Sequence, residues 1–270
     1  MPNQKIQTGY FANNLPCVKI GEGERRFVVF EGLNFNHRPP AGLSLKMNPV
    51  MVFGRLAGDY TVYIVGRKPG LPEGYTIRDM AADYAVMVRD EIGSPADIAG
   101  ISTGGTIAQW FAVDYPDLVR RLVIISSGYR LSDYAKQVQS DMLGAARTGK
   151  KRATAAVMGD LLASGLIAVL LGRLFWLMGP LLIGPGDSLS DGIVELEAED
   201  GFDFTDRLGD IGKPTLVVGG ADDSLYPMSE TAEGIPGARL ILYENCGHGA
   251  IMKKQFITDL LDFLNEDRDR

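Results

Sequence analysis

Three widely separated stretches of this chain hold the residue types that nucleophilic catalysis needs. Ser102 lies in "GISTGG" (Gly100–Gly105), His248 in "NCGHGAI" (Asn245–Ile251), and Asp222 and Asp223 in "GGADDSLYP" (Gly219–Pro227). A serine hydroxyl holds its proton too tightly at neutral pH to attack a carbonyl, so it requires a neighbouring base. The chain offers two histidines, His37 and His248. A histidine base needs a carboxylate that fixes its tautomer and stabilises its protonated form, and either aspartate could serve. The chemistry these types can perform together is acyl transfer through a covalent acyl-enzyme.

Position favours His248 over His37. His248 follows the strand-like "ARLILYEN" and precedes a terminal helical pattern, and loops at strand ends are where open α/β sheets build their sites. His37, in "NFNHRPP", reads as a structural or exposed histidine. Ser102 satisfies G-x-S-x-G through Gly100 and Gly104. A serine among glycines is often only a flexible turn, but here a short strand pattern, "DIAG", precedes it and a helix pattern, "TIAQWFAVDY", follows. That strand–turn–helix setting is what a nucleophile elbow requires.

The elements that would carry these residues alternate along the chain. "RFVVFEG" (Arg26–Gly32), "YTVYIVG" (Tyr60–Gly66), "RRLVIISSG" (Arg120–Gly128), "PTLVVGG" (Pro214–Gly220) and "ARLILYEN" (Ala238–Asn245) are short apolar runs suited to a sheet covered on both faces. Helical patterns cover Thr76–Ile92, Thr103–Tyr115 and Lys254–Glu266, and two weaker strands flank Asn13-Asn14. The expected fold is α/β: a mostly parallel twisted sheet with helices on both faces.

From Leu131 to about Phe204 no strand pattern appears. Within that stretch Leu161–Gly184 carries one charge, Arg173, and is long enough to suggest a membrane span. Arg173, the internal glycines and Pro180 argue against a span, as do candidate site residues lying on both sides of it. The expectation is a helical insertion whose apolar surface packs over the sheet edge as a lid, with Phe175, Trp176 and Met178 used in packing. The division is then 1–130 and 205–270 for the core and 131–204 for the insertion.

The bulk composition fits this picture. With 270 residues, 46% hydrophobic and 23% charged, the chain can bury a substantial core. A net charge of −7 disfavours nucleic acid or an anionic membrane surface as partner. Cys17 and Cys246 form neither a disulfide framework nor a metal site, and the polar start lacks a signal peptide's apolar core, which points to the cytoplasm. A small-molecule substrate is expected, with no metal, no cofactor and no nucleic acid; the oligomeric state is not legible.

Serine, acid and histidine follow one another in chain order, each just after its own strand, and in this the chain resembles the α/β-hydrolase superfamily along nearly its whole length. "YPDLVRRLVIIS" (Tyr115–Ser126) is similar to the helix end and strand that follow the elbow in that family, and the 131–204 insertion sits where the family places a cap. The family's acid loop commonly has an apolar residue two places after the aspartate and proline four places after. Leu225 and Pro227 put Asp223, not Asp222, in that frame. The resemblance assigns the oxyanion hole to the backbone N–H groups of Thr103 and Leu33. It also exposes a departure: the loop after the first central strand usually begins His-Gly, and here it reads Glu31-Gly32-Leu33-Asn34, with Asn34 an additional candidate donor. A lipase-type His-Gly-Gly is absent. Serine rather than aspartate at the elbow sets the chain apart from haloalkane dehalogenases and epoxide hydrolases. The implied activity is a carboxylesterase-like serine hydrolase acting on a small, fairly apolar substrate. C–C bond, lactone and thioester hydrolysis, perhydrolysis or acyl transfer with the same triad, and a non-catalytic binding protein, are the alternatives.

Overall fold

A computed structural model describes residues 5–42, 45, 49–93, 95–162, 165–184 and 188–266. Its centre is an eight-stranded sheet: β1 (Ile6–Tyr10), β2 (Pro16–Ile20), β3 (Arg25–Phe30), β4 (Tyr60–Val65), β5 (Ala96–Ile101), β6 (Val119–Ile125), β7 (Thr215–Gly220) and β8 (Arg239–Tyr243). The spatial order is β1-β2-β4-β3-β5-β6-β7-β8. β1 and β2 form an antiparallel hairpin whose turn holds Asn14 at φ 64°, and β2 pairs antiparallel to β4. Every other pairing is parallel. Parallel strands need crossover helices, and those helices bury both faces of the sheet. The pleat divides β3 accordingly. Val28 and Phe30 join a core with Tyr84 and Phe111, while Phe27 and Val29 join the opposite core with Phe53 and Phe256.

The helices, in chain order, are α1 (Val50–Phe53), α2 (Ile77–Met87), α3 (Thr103–Asp114), α4 (Asp133–Arg147), α5 (Lys151–Leu162), α6 (Gly165–Ile183), α7 (Ser188–Asp200), α8 (Met228–Gly234) and α9 (Phe256–Asn265). α2 begins with a capping box in which the Thr76 side chain accepts from the Asp79 amide and Asp79 accepts from the Thr76 amide. α4 to α7 lie between β6 and β7, as a helical insertion. Of these, α5 and α6 form a tight hairpin: a side chain on Gly159 would come within 2.6 Å of the Gly172 amide, and one on Gly179 within 2.7 Å of Arg152 Cα.

α6 departs from the expected lid packing. It is long and apolar enough to cross a membrane, yet 17% of its most apolar window is buried. Its small residues, Ala168 and Gly179 among them, face inward, and its large leucines face out. The apolar surface expected over the sheet edge is largely turned to solvent.

Candidate active site

Because β3, β5, β7 and β8 run parallel, the loops leaving their C-terminal ends gather at one edge of the sheet. β5 breaks off at Ser102, which caps α3 with φ 52° and ψ −124°, a left-handed conformation costly for a residue with a side chain. The turn is possible because its neighbours are glycines. A Cβ on Gly100 would come within 2.2 Å of the Gly104 carbonyl, and one on Gly104 equally close to the Phe30 carbonyl. The Ser102 amide donates to Ile125 and its carbonyl accepts from Gly105, holding the sharp turn.

At this edge the Ser102 Oγ lies 3.0 Å from His248 Nε2, and His248 Nδ1 lies 2.9 Å from Asp223 Oδ2. The Asp223 side chain is fully buried, and its Oδ1 accepts from the Leu225 amide. Asp222 is exposed on the same loop, and Asp223 is the aspartate hydrogen-bonded to the imidazole. A carboxylate only accepts, so Nδ1 carries the proton and Nε2 is left as the acceptor for the serine hydroxyl. Thr103 opens α3, and the first N–H groups of a helix have no acceptor within it.

The loop after β3 is braced from within and from behind. Glu31, where the family has histidine, accepts from Asn34 Nδ2, and Asn34 Oδ1 accepts from the Asn36 amide. Both ends of the Asn34 amide therefore serve the loop itself. Arg67, just after β4, donates to the carbonyls of Glu31 and Gly32 and to Glu195 on α7. Burial works against the Arg67 charge, but Glu195, Tyr84 and Glu31 together outweigh it and hold the guanidinium above its ordinary value. His37 is buried in the same cluster: its Nε2 lies 3.1 Å from Glu195 and its Nδ1 3.1 Å from the Lys68 carbonyl. It is a structural histidine, bonded to Glu195 and Lys68 while His248 is the one bonded to Ser102.

A second glutamate on α7 reaches the other side of the site. Glu199, four residues on, accepts from Thr103 Oγ1 at 3.0 Å, Gln139 Nε2 at 2.5 Å and Tyr226 Oη at 2.5 Å. Burial raises its pKa, and these three hydrogen bonds only partly offset that; nearby Glu195 pushes the same way as burial. The Tyr226 ring stacks on His248 at 6.0 Å, and its hydroxyl also reaches Ser102. Burial, and then the Glu199 charge, push that phenol well above its usual range. Beside His248 opens a cleft of about 350 Å³ lined by Tyr134, Asp160, Leu161, Leu225 and Cys246. Its lining is mixed rather than purely apolar. Phe175 packs within the insertion, and Trp176 lies exposed under Arg152.

Arg67, Glu195, Glu199 and Tyr226 have no motif that marks them in the sequence. The one available signal is the four-residue spacing of Glu195 and Glu199, which places both on one helix face.

The family profile of the α/β-hydrolase fold matches residues 63–255, and the chain belongs to that family. Among curated proteins, it is 24% identical over 243 residues to a 2-hydroxy-6-oxononadienedioate/2-hydroxy-6-oxononatrienedioate hydrolase of Klebsiella pneumoniae, covering 85% of this chain and 83% of that one. It is 37% identical over 100 residues to the non-heme chloroperoxidase CPO-A1 of Kitasatospora aureofaciens, covering 34% of each. Among solved structures, the enol-lactonase of Burkholderia xenovorans superposes with TM-score 0.73 at 22% identity, covering 96% of this chain and 100% of that one.

Proposed function

We propose that the protein is a serine hydrolase that cleaves an ester-like bond of a small substrate through an acyl-enzyme. The observation that carries this reading is the continuous hydrogen-bonded chain Asp223–His248–Ser102, whose aspartate and histidine line a cleft. In the proposed mechanism Ser102 Oγ attacks the substrate carbonyl carbon while its proton passes to His248 Nε2. Asp223 holds the imidazole by Nδ1 and stabilises the imidazolium that forms. The carbonyl oxygen becomes an oxyanion, which takes hydrogen bonds from the Thr103 and Leu33 amides; each such donor is worth about 10²–10³ in rate. His248 then gives its proton to the leaving group. Water enters, loses a proton to His248, attacks the acyl carbon and releases the acid and free Ser102. No metal or cofactor takes part.

In the same reading α4 to α7, within 131–204, act as the cap that shapes the acyl site. Lactone, thioester and C–C bond substrates would use the same residues; the C–C bond reading draws support from the Klebsiella relative, which this chain matches over most of its length. Two measurements test the proposal: turnover of a panel of aryl esters, lactones and β-diketones, and labelling by a fluorophosphonate. Ester turnover with labelling that disappears in Ser102→Ala is the expected result. Absence of labelling and of turnover across the panel would leave a binding protein on this fold.

A further inference from the structure

The outward face of α6 is built the wrong way round for a helix that meets water. Its ten exposed side-chain positions are Leu166, Ile167, Val169, Leu170, Arg173, Leu174, Trp176, Leu177, Pro180 and Leu181, nine apolar and one charged. Leu166 is 74% exposed, Leu181 70% and Leu177 64%. A surface helix ordinarily carries its polar residues on this side. A contiguous apolar patch of this kind marks a binding surface.

The charges around the patch say what covers it. The chain carries −7 overall, yet from 150 to 184 it has Lys150, Lys151, Arg152 and Arg173 against a single acid, Asp160. Lys150, Arg152 and Arg173 are exposed, and the Arg152 guanidinium lies 4.7 Å over the ring of Trp176. Apolar side chains edged by arginine, lysine and tryptophan are the pattern of a helix lying in a membrane interface. A second copy of the chain fits less well. Arg173 is at the middle of α6, so a twofold pairing of α6 on α6 would bring two guanidiniums together at the centre of an apolar contact. On a bilayer the same side chain reaches up to the phosphates. Beyond about 8 Å salt screens the chain's net charge, so the basic side chains nearest the lipid decide the local attraction.

We infer that α6 docks the protein on an anionic phospholipid bilayer, lying in the plane of the interface with this face down. It does not span the bilayer, because the glycine contacts of the hairpin hold α5 along its other side. At about 28 Å long, α6 presents a continuous apolar strip to the lipid. The placement also brings the cleft, lined by Leu161 at the end of α5, close to the lipid surface.

Flotation of the purified chain with vesicles tests this without reference to turnover. The wild type should float with phosphatidylcholine/phosphatidylglycerol vesicles and far less with phosphatidylcholine alone. Replacing Lys150, Arg152 and Arg173 by Gln should lower binding to the mixed vesicles by about 100-fold, at about five-fold for each basic group lost. Leu166→Glu/Leu170→Glu/Leu177→Glu should abolish flotation while keeping the wild-type circular dichroism spectrum, since all three face solvent. Wild-type protein that stays with the sedimented fraction, or flotation that survives the three leucine substitutions, overturns the proposal. So does a dimer, seen by light scattering, that these substitutions dissociate while no vesicle is bound; the patch would then be an interface between copies.

Discussion

Arg67→Met probes one of the most deeply buried charges among the described residues. The guanidinium is 1% exposed and donates to Glu195, itself 0% exposed, and to the carbonyls of Glu31 and Gly32. Methionine keeps much of the volume and removes every donor. Stranding one member of a buried ion pair costs about 3–5 kcal/mol. His37 still faces Glu195 Oε2, so the lower end, about 3 kcal/mol, is expected. That is a large share of the 5–15 kcal/mol typical of a folded domain. With a urea m-value of about 3 kcal/mol/M, the unfolding midpoint should fall by about 1 M, read from tryptophan fluorescence. Adding Glu195→Gln removes the stranded charge and should restore more than about 1 kcal/mol, because contacting residues couple on that scale. Arg67→Lys should fall between, since one ammonium cannot serve three acceptors as the planar fork does. Loss of the brace behind the Glu31–Gly32 loop should also lower kcat by about 10–100-fold in whatever fraction remains folded. A midpoint within the error of wild type, or a double variant no more stable than Arg67→Met, would refute the reasoning.

Three further outcomes follow from the same geometry. Asp223→Asn should reduce kcat by about 10⁴ by holding the wrong tautomer of His248, whereas Asp222→Asn, on the exposed side of the loop, should stay within about two-fold; steady-state turnover of an aryl ester separates them. Tyr226→Phe takes one of three donors from buried Glu199 and should cost about 1–3 kcal/mol, a Tm drop of about 3–10 °C by calorimetry. Glu199 titrates above the usual carboxylate range, so the native state keeps a proton that the unfolded chain has released. The stability it contributes is fully present below the ordinary carboxylate pKa and is lost as pH rises through its raised value. The Tm of wild type relative to Glu199→Gln should therefore decline from acid towards neutral pH, and a constant difference would contradict the assignment.

What was legible in the sequence shares a physical property: it is local. G-x-S-x-G needs only a strand, a strained turn and a helix, all within Ala96 to Asp114. The central strands announce themselves because a parallel sheet buries both faces and leaves short unbroken apolar runs such as Phe27–Phe30. What was hidden depends on tertiary contact. Glu195 and Glu199 read as an ordinary solvated helix face, since charged residues are seldom fully buried, and nothing in "VELEAED" reveals that their face turns inward. Arg67 follows β4 like any strand-ending cation. For α6 the pattern is apolar on all sides, so periodicity could not say which face would pack, and the face that packs is the one with the smallest residues.

The two glutamates of α7 also limit how the insertion can move. Glu195 ties the helix through Arg67 to the loop after β3, and Glu199 ties it to Thr103 at the elbow and Tyr226 on the acid loop. Lifting α7 would break both sets of bonds and leave two carboxyls without their partners, a change of several kcal/mol. Moving the α5–α6 hairpin alone leaves every one of those bonds intact. The hairpin also borders the cleft, where Tyr134 Oη donates to the Asp160 carbonyl at the rim. The same hairpin carries the outward apolar face, so a surface that holds α6 acts on a part of the insertion that the Glu195 and Glu199 bonds do not tie down.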